Sequence, residues 1–138
     1  MRQVTGQTLW LGHAGDLRDP SAVLATGIEA VVELADIEPL AVLPRELVRF
    51  RFPLSDGSTN PPWLLRLASE SVANLLRAGV PTLVCCAAGL SRSVCIASGG
   101  LALAEERPLD EALALVVGSG PADVSPGLVS QLRDALRR

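Results

Sequence analysis

The chain has 138 residues, of which 49% are hydrophobic and 20% are charged, a balance typical of a folded domain rather than a disordered chain. Aromatic residues make up only 3%, so we expect a core of aliphatic side chains. The net charge of −3, with both signs interspersed, gives no basic surface for nucleic acid and no polybasic patch for a membrane.

The sequence also carries no signal for export or membrane insertion. The opening MRQVTGQTLW lacks the charged and apolar segments of a signal peptide. Residues 80–104 are apolar, but Pro81, Arg92 and several glycines interrupt them, which argues against a membrane span. Three cysteines, two of them adjacent, give no disulfide framework. We therefore expect residues 1–138 to form a single domain, a monomer in the reducing cytoplasm.

The N-terminal part of the chain alternates strand and helix signals. TLWLG (8–12) and AVVELA (30–35) are short apolar runs bounded by turn residues, and each predicts a strand. Between them, Asp19 or Ser21 as a cap and Gly27 as a stop predict a short helix.

The middle of the chain adds two strands, a loop and a longer helix. ELVRFRFPL (46–54) alternates apolar and basic residues, which predicts a half-exposed strand near a sheet edge. SDGSTNPP (55–62) is dense in turn residues and predicts an exposed loop. A helix is predicted from Pro62 to Gly79, with an apolar stripe of Leu64, Leu67, Ala68, Val72, Leu75 and Leu76. PTLVCC (81–86) predicts a buried strand.

Helices dominate the C-terminal part. SVCIASGGLALAEE (93–106), PLDEALALVV (108–117) and SPGLVSQLRDALRR (125–138) each predict one. Strands alternating with helices early and helices late indicate an α/β fold. We expect a central, mostly parallel sheet of four to five strands flanked by helices.

The segment LVCCAAGLSRSV (83–94) has the features of an anion site. A strand ends at Cys86, and a helix starts near Arg92, where unpaired N–H groups and the helix dipole favour negative charge. A cysteine at this position gains a stabilised thiolate, and an arginine can grip two phosphate oxygens. The hydroxyl of Ser93 could donate to the sulfur. The small residues between them predict a backbone cradle: Ala87, Ala88, Gly89, Leu90 and Ser91.

CAAGLSRS resembles the signature of the cysteine-based protein tyrosine phosphatases: Cys, five residues, Arg, then Ser or Thr. Its glycine and its SRS are most similar to the dual-specificity branch. The likeness extends to LWLGHAGDLRDPSAVLATGIEAVVEL and to PLDEALALVVGSGPADVSPGLVSQL, so it covers nearly the whole chain. It implies a dual-specificity phosphatase-like fold and a phosphomonoester hydrolase that needs no metal or cofactor. The substrate would be a phosphorylated protein or a small phosphomonoester.

The resemblance also assigns roles to individual residues. Cys86 would be the nucleophile of a phosphocysteine intermediate, Arg92 and the backbone of residues 87–92 would bind phosphate, and Ser93 would assist breakdown of the intermediate. The family takes its proton from an aspartate on an upstream loop, and Asp56 lies 30 residues before Cys86 in such a loop. Asp36 lies too early, and no other acid is on a suitable loop. The alternative is that Asp56 only bonds its own turn.

Two residues near Asp56 have two interpretations each. Asn60 and Trp63 either shape the rim of the site, or Asn60 caps the following helix and Trp63 packs against it. His13, the only histidine, is interpreted as a turn or core residue rather than a metal ligand.

The chain departs from the family at Cys85, where the family has histidine. Strand alternation sends Cys85 away from Cys86 into the apolar interior. The enzyme would then have a less acidic nucleophile, or be a weakened pseudophosphatase or phosphate-binding module, or form a protective disulfide through Cys85 or Cys95. A sulfurtransferase, an arsenate reductase and a merely structural buried cysteine are the remaining alternatives. The uncharged loop argues against a highly phosphorylated lipid head group.

Overall fold

A computed structural model describes residues 1–35 and 41–137 of the chain. Within these residues, five strands form one sheet in the order β1-β2-β5-β3-β4. Their bounds are Arg2–Gln3 (β1), Leu9–His13 (β2), Ala30–Glu33 (β3), Val48–Arg51 (β4) and Thr82–Cys86 (β5). All neighbouring pairs are parallel except β1 and β2. The predicted α/β fold with a mostly parallel sheet is confirmed, and β4 lies at the sheet edge as predicted.

The helices lie close to their predicted positions. They are Pro20–Ala25 (α1), Pro62–Arg77 (α2), Arg92–Glu105 (α3), Leu109–Val117 (α4) and Pro126–Ala135 (α5), and a short 3₁₀ turn spans Ala14–Arg18. Asp19 caps α1, since its carboxylate accepts the N–H of Ala22 at 3.3 Å. Among the described residues, no helix has the length and apolar character needed to cross a membrane.

The sheet separates two apolar clusters of unequal size. The larger one contains Val84 and Cys86 and packs the sheet against α2, α3, α4 and α5. The smaller one contains Leu83 and Cys85 and lies on the side of α1 and the 3₁₀ turn. Successive side chains of a strand point to opposite faces, so the two neighbouring cysteines of β5 enter different clusters.

The predicted stripe of α2 is confirmed except at one position. Ala68 and Val72 are fully buried, and Leu64, Leu75 and Leu76 are partly buried against the same core. Leu67 is 45% exposed, and the fully buried Leu65, which the prediction left out, packs in the core instead. Gly99 of α3 lies against α2, and a Cβ there would come 2.6 Å from Ser69 Oγ. The absence of a side chain at Gly99 thus permits the close approach of α3 to α2.

Candidate active site

Residues 87–91, the β5–α3 loop, connect the central strand to the most buried helix. Gly89 has φ +72°, a left-handed conformation that favours glycine. A Cβ on Gly89 would also lie 2.8 Å from the carbonyl oxygen of Gly12, in the neighbouring strand β2. The loop therefore needs glycine at this position for two reasons, and the resulting turn directs the Gly89 N–H back towards Cys86.

Cys86 is the last residue of β5 and is 3% exposed. Its Sγ accepts the backbone N–H of Gly89 at 3.3 Å and that of Ser93 at 3.4 Å. The hydroxyl oxygen of Ser93 lies 3.4 Å from the same sulfur. Hydrogen bonds to a sulfur and the start of a helix both favour its charged form. Donors from the loop and from the start of α3 therefore converge on this one sulfur atom.

Arg92 is the first residue of α3 and is 8% exposed. Its Nη1 donates to the carbonyl oxygen of Leu54 at 2.9 Å, which holds the guanidinium beside the loop that follows β4. A guanidinium has five N–H donors in a fixed plane, which suits an oxyanion. Arg92 lines the same pocket as Cys86, so a bound anion would contact both.

Asp56 lies in the exposed loop between β4 and α2, as predicted. Its Oδ1 accepts a hydrogen bond from the Ser91 hydroxyl at 2.6 Å, and that hydroxyl oxygen accepts the N–H of Ser125 at 3.0 Å. Ser91 stands at the start of α3 without capping it, because its hydroxyl is directed to Asp56. Asp56 is thus tied to the β5–α3 loop and does more than bond its own turn.

These side chains meet in one open pocket with an empty volume of about 560 Å³. Its lining residues are Asp56, Cys86, Ala87, Ala88, Leu90, Ser91, Arg92 and Asp123. Of the sequence-predicted site residues, Gly89 and Ser93 do not line the pocket but contact the Cys86 sulfur from the loop and the helix. The residues predicted to act together are therefore brought together. Asp36 lies outside the described residues.

The other two thiols have different surroundings. Burial raises the pKa of Cys85, and the nearby Glu33 carboxylate and the charged form of Cys86 raise it further. Burial raises the pKa of Cys95 to about 12, with Asp56 and Cys86 acting in the same direction. All three cysteines are free. Cys85 and Cys95 are therefore neutral at physiological pH, and neither has the hydrogen-bonding capacity of the family's histidine.

The sequence missed several residues of the site. Asp123, between α4 and α5, lines the pocket, and its N–H donates to the carbonyl of Leu90 at 2.9 Å. A second carboxylate residue therefore lies at the pocket, on a loop downstream of Cys86. Ser125, which orients Ser91, comes from the same segment. The only signal for this segment was that it falls within PLDEALALVVGSGPADVSPGLVSQL, one of the stretches that carry the family resemblance.

The structure decides between the interpretations of Asn60 and Trp63. Asn60 is 5% exposed, and its side chain bonds Ser55 across the loop that carries Asp56. It does not cap α2, whose N-cap is Pro61. Trp63 is the second residue of α2, is 65% exposed and does not line the pocket, so neither interpretation of it is supported. Asn60 therefore shapes the loop around the acid.

His13 lies at the end of β2, where its backbone pairs with that of Cys86. Its Nδ1 accepts the N–H of Gly15 at 3.1 Å and so caps the 3₁₀ turn. The interpretation of His13 as a turn residue agrees with this placement.

Neither protein-family models nor curated proteins give a match to this sequence. Solved structures do match. Human DUSP28 is 24% identical, over 99% of this chain and 95% of its own, with a TM-score of 0.86. A mouse dual specificity phosphatase complexed with zinc tungstate is 23% identical, over 99% and 86%, also with a TM-score of 0.86. The human tyrosine phosphatase-like serine/threonine/tyrosine-interacting protein is 20% identical, over 97% and 93%, with a TM-score of 0.80.

These likenesses cover nearly the whole of each chain, and two of the three solved structures are dual-specificity phosphatases by name. They confirm, at the level of the fold, the resemblance carried by CAAGLSRS and its flanking segments. The chain has the fold of the dual-specificity phosphatases.

Proposed function

We propose that the chain is a single-domain, cysteine-dependent phosphatase of the dual-specificity type, acting on a phosphorylated protein or a small phosphomonoester. One observation carries the proposal: the thiol and guanidinium at the two ends of the β5–α3 loop line one pocket with a carboxylate from a distant segment, the loop after β4. A buried structural cysteine needs none of these partners. The mouse phosphatase complexed with zinc tungstate adds support, since tungstate is a tetrahedral oxyanion like phosphate.

The first step transfers the phosphoryl group to the enzyme. The phosphate would lie against the β5–α3 loop, with Arg92 on its oxygens. The Cys86 thiolate attacks phosphorus, so that an S–P bond forms while the P–O bond to the leaving group breaks. Asp56 donates its proton to the leaving oxygen.

The second step returns the enzyme to its starting state. The Asp56 carboxylate takes a proton from water, and the water oxygen attacks phosphorus as the S–P bond breaks. The Ser93 hydroxyl, 3.4 Å from the sulfur, donates to the departing thiolate. Inorganic phosphate leaves, and Asp56 is protonated for the next turnover.

The pocket favours a substrate with a single phosphate. Ala87, Ala88 and Leu90 give its floor no charge, and Asp56 and Asp123 add two carboxylates. Additional phosphates next to the scissile one would meet these carboxylates without a compensating cation from the loop. We therefore propose a phosphorylated side chain or a simple monoester as the substrate class.

A second candidate function is a phosphate-binding module without turnover. Cys85 favours it, because a neutral thiol facing the other apolar cluster replaces the histidine that the family uses to organise the loop. The fold also occurs in a protein described as tyrosine phosphatase-like.

Hydrolysis of an aryl phosphate in chelator and reductant separates the two candidates. We expect activity in the unmodified protein and none in Cys86→Ser, with Asp110→Asn as a control, because Asp110 is an exposed carboxylate paired with Arg133 away from the pocket. If no pH gives turnover but vanadate still protects Cys86 from alkylation, the chain is a binding module. Sulfur transfer from thiosulfate without hydrolysis would instead indicate a sulfurtransferase.

A further inference from the structure

Arg2, on the edge strand β1, reaches two segments that are far from it in sequence. Its Nη2 lies 2.7 Å from the carbonyl oxygen of Pro121 and 3.5 Å from that of Gly89. The first belongs to the connection between α4 and α5, and the second to the β5–α3 loop. One guanidinium therefore joins both segments that contribute to the pocket, although Arg2 does not line the pocket itself.

The contact at Gly89 links Arg2 to the nucleophile. Gly89 accepts from Arg2 at its carbonyl and donates its own N–H to Cys86 Sγ at 3.3 Å. The neighbouring residue Leu90 accepts the N–H of Asp123 at 2.9 Å, a second bridge between the same two segments. Both bridges hold the backbone immediately after the Gly89 N–H, so they restrict the movement of the residue that donates to Cys86.

Arg2 keeps this position at a cost in hydrogen bonding. Its Nε is shielded from solvent and has no hydrogen-bond partner among the described residues. A Cβ on Gly120 would come 2.7 Å from that Nε, so the chain leaves room for the arginine there. Burial lowers the pKa of the Arg2 guanidinium, and the charged form of Cys86 raises it. The second effect reflects an attraction between guanidinium and thiolate.

We propose that Arg2 is a positioning residue for Cys86, which holds the Gly89 N–H on the sulfur and supplies a second positive charge that stabilises the thiolate. This role rests on the proposed function. It is the role that the family resemblance gives to the histidine before the nucleophile, and Cys85 cannot fill it. Arg92 binds the substrate phosphate, whereas Arg2 acts on the nucleophile from outside the pocket.

Other ionisable groups also face Cys86, and the test must hold them constant. The cationic ones are Arg92 from α3, Arg51 at the end of β4, and His13 from β2 when protonated. The acidic ones are Asp56 and Asp123 at the pocket, and Glu33 from β3. The thiols are Cys85 and Cys95. None of them is changed in the variants below.

The test is the pH dependence of Cys86 alkylation by iodoacetamide, followed by peptide mass spectrometry on the full chain. Alkylation needs only the thiolate, so it reports on Arg2 even if the protein hydrolyses nothing. The variants are Arg2→Met, Arg2→Lys and Gly120→Ala, the last of which displaces the guanidinium while keeping Arg2. Arg77→Met is the control, because Arg77 also donates to a backbone carbonyl at 2.7 Å, that of Leu103, away from the pocket.

We expect Arg2→Met to slow alkylation at pH 7 by about three- to tenfold and to move the profile to higher pH, since losing a cation disfavours the thiolate. Arg2→Lys retains the charge and should restore most of the rate. Gly120→Ala should shift the profile in the same direction, with no further shift when combined with Arg2→Met.

An unchanged profile in folded Arg2→Met would overturn the proposal. If Arg2→Met does not fold, the test rests on Gly120→Ala. A pH profile of Cys86 alkylation in Gly120→Ala that equals that of the unmodified protein would then overturn the proposal. The alkylation profiles could shift as expected while neither the unmodified protein nor any variant hydrolyses an aryl phosphate. That result would reject the proposed function and still support the role of Arg2.

Discussion

Cys85 and Cys86 are consecutive residues of β5, yet the two faces of the strand give their thiols opposite surroundings. Cys86 receives two backbone N–H groups and lies in a pocket with Arg92. Cys85 lies among aliphatic side chains with the Glu33 carboxylate nearby, and its pKa is raised. Both are nearly fully buried. The two thiols therefore differ in their hydrogen-bond donors and nearby charges but not in exposure, and we expect that difference to decide which of them reacts.

The largest expected difference is in chemical reactivity. At pH 7 we expect iodoacetamide to modify Cys86 at least about a hundred times faster than Cys85, because thiolate reacts and thiol does not. Cys95, with a pKa raised to about 12, should also be unreactive. Site-resolved mass spectrometry measures all three rates. In denaturant the rates should converge, and a difference that persisted there would mean that the fold is not its cause.

Removing the fixed guanidinium should have the next largest effect. We expect Arg92→Lys to lower kcat/KM for an aryl phosphate by about 10²- to 10³-fold, because lysine loses the planar set of donors that stabilises the transferring phosphoryl group. Arg77→Lys is the matched control, since its guanidinium lies on α2 outside the pocket. A similar fall in both variants would point to lost stability instead.

The third prediction is that the two carboxylates at the pocket, Asp56 and Asp123, contribute differently to kcat. Asp56→Asn is expected to lower kcat by about 10²-fold, the usual contribution of a general acid, with a smaller loss on substrates whose leaving group needs no proton. Asp123→Asn, which keeps the backbone bond to Leu90, should change kcat by less than about threefold. Equal losses would mean that the acid has been assigned to the wrong loop.

The smallest effect on activity is expected from replacing Cys85, so that the residue before the nucleophile can also form hydrogen bonds. Cys85→His puts the family's residue before the nucleophile, beside a small cavity that both cysteines line. A histidine hydrogen-bonded to the loop would favour the Cys86 thiolate, so the acidic limb of kcat/KM should move to lower pH. We expect kcat/KM at pH 6 to rise by about two- to fivefold. A fall in activity with an unchanged melting temperature would contradict this.

Local features of the sequence predicted most of the fold and the centre of the site. The residues of the β5–α3 loop are consecutive in the chain, so the spacing of Cys86, Gly89 and Arg92 was enough to predict the shape of the loop. Asp56 could be found because turn residues surround it and the family resemblance gives its distance from Cys86. Periodicity located α2 and most of its buried face, including Ala68 and Val72. It misplaced only the edge of that face, where Leu65 rather than Leu67 is buried, because contacts with neighbouring helices set the edge.

The residues that were missed act across long distances in the chain. The contact between Arg2 and Pro121 spans 119 positions, and the one between Ser91 and Ser125 spans 34. Asp123 and Ser125 occupy a segment without periodicity, and β1 has only two residues. Such contacts form when β1 and the α4–α5 connection meet beside the β5–α3 loop. Local sequence propensities do not predict such long-range contacts.

The hydrogen bond between Ser91 and Asp56 has a stereochemical consequence for the proposed reaction. Oδ1 of Asp56 is engaged by the Ser91 hydroxyl, which is itself oriented by the Ser125 N–H. The transferable proton then resides on Oδ2, so one oxygen of the carboxyl group serves each turnover and the other stays bound to the protein. The two oxygens of an otherwise symmetric side chain become inequivalent, and the leaving group is protonated from a single direction.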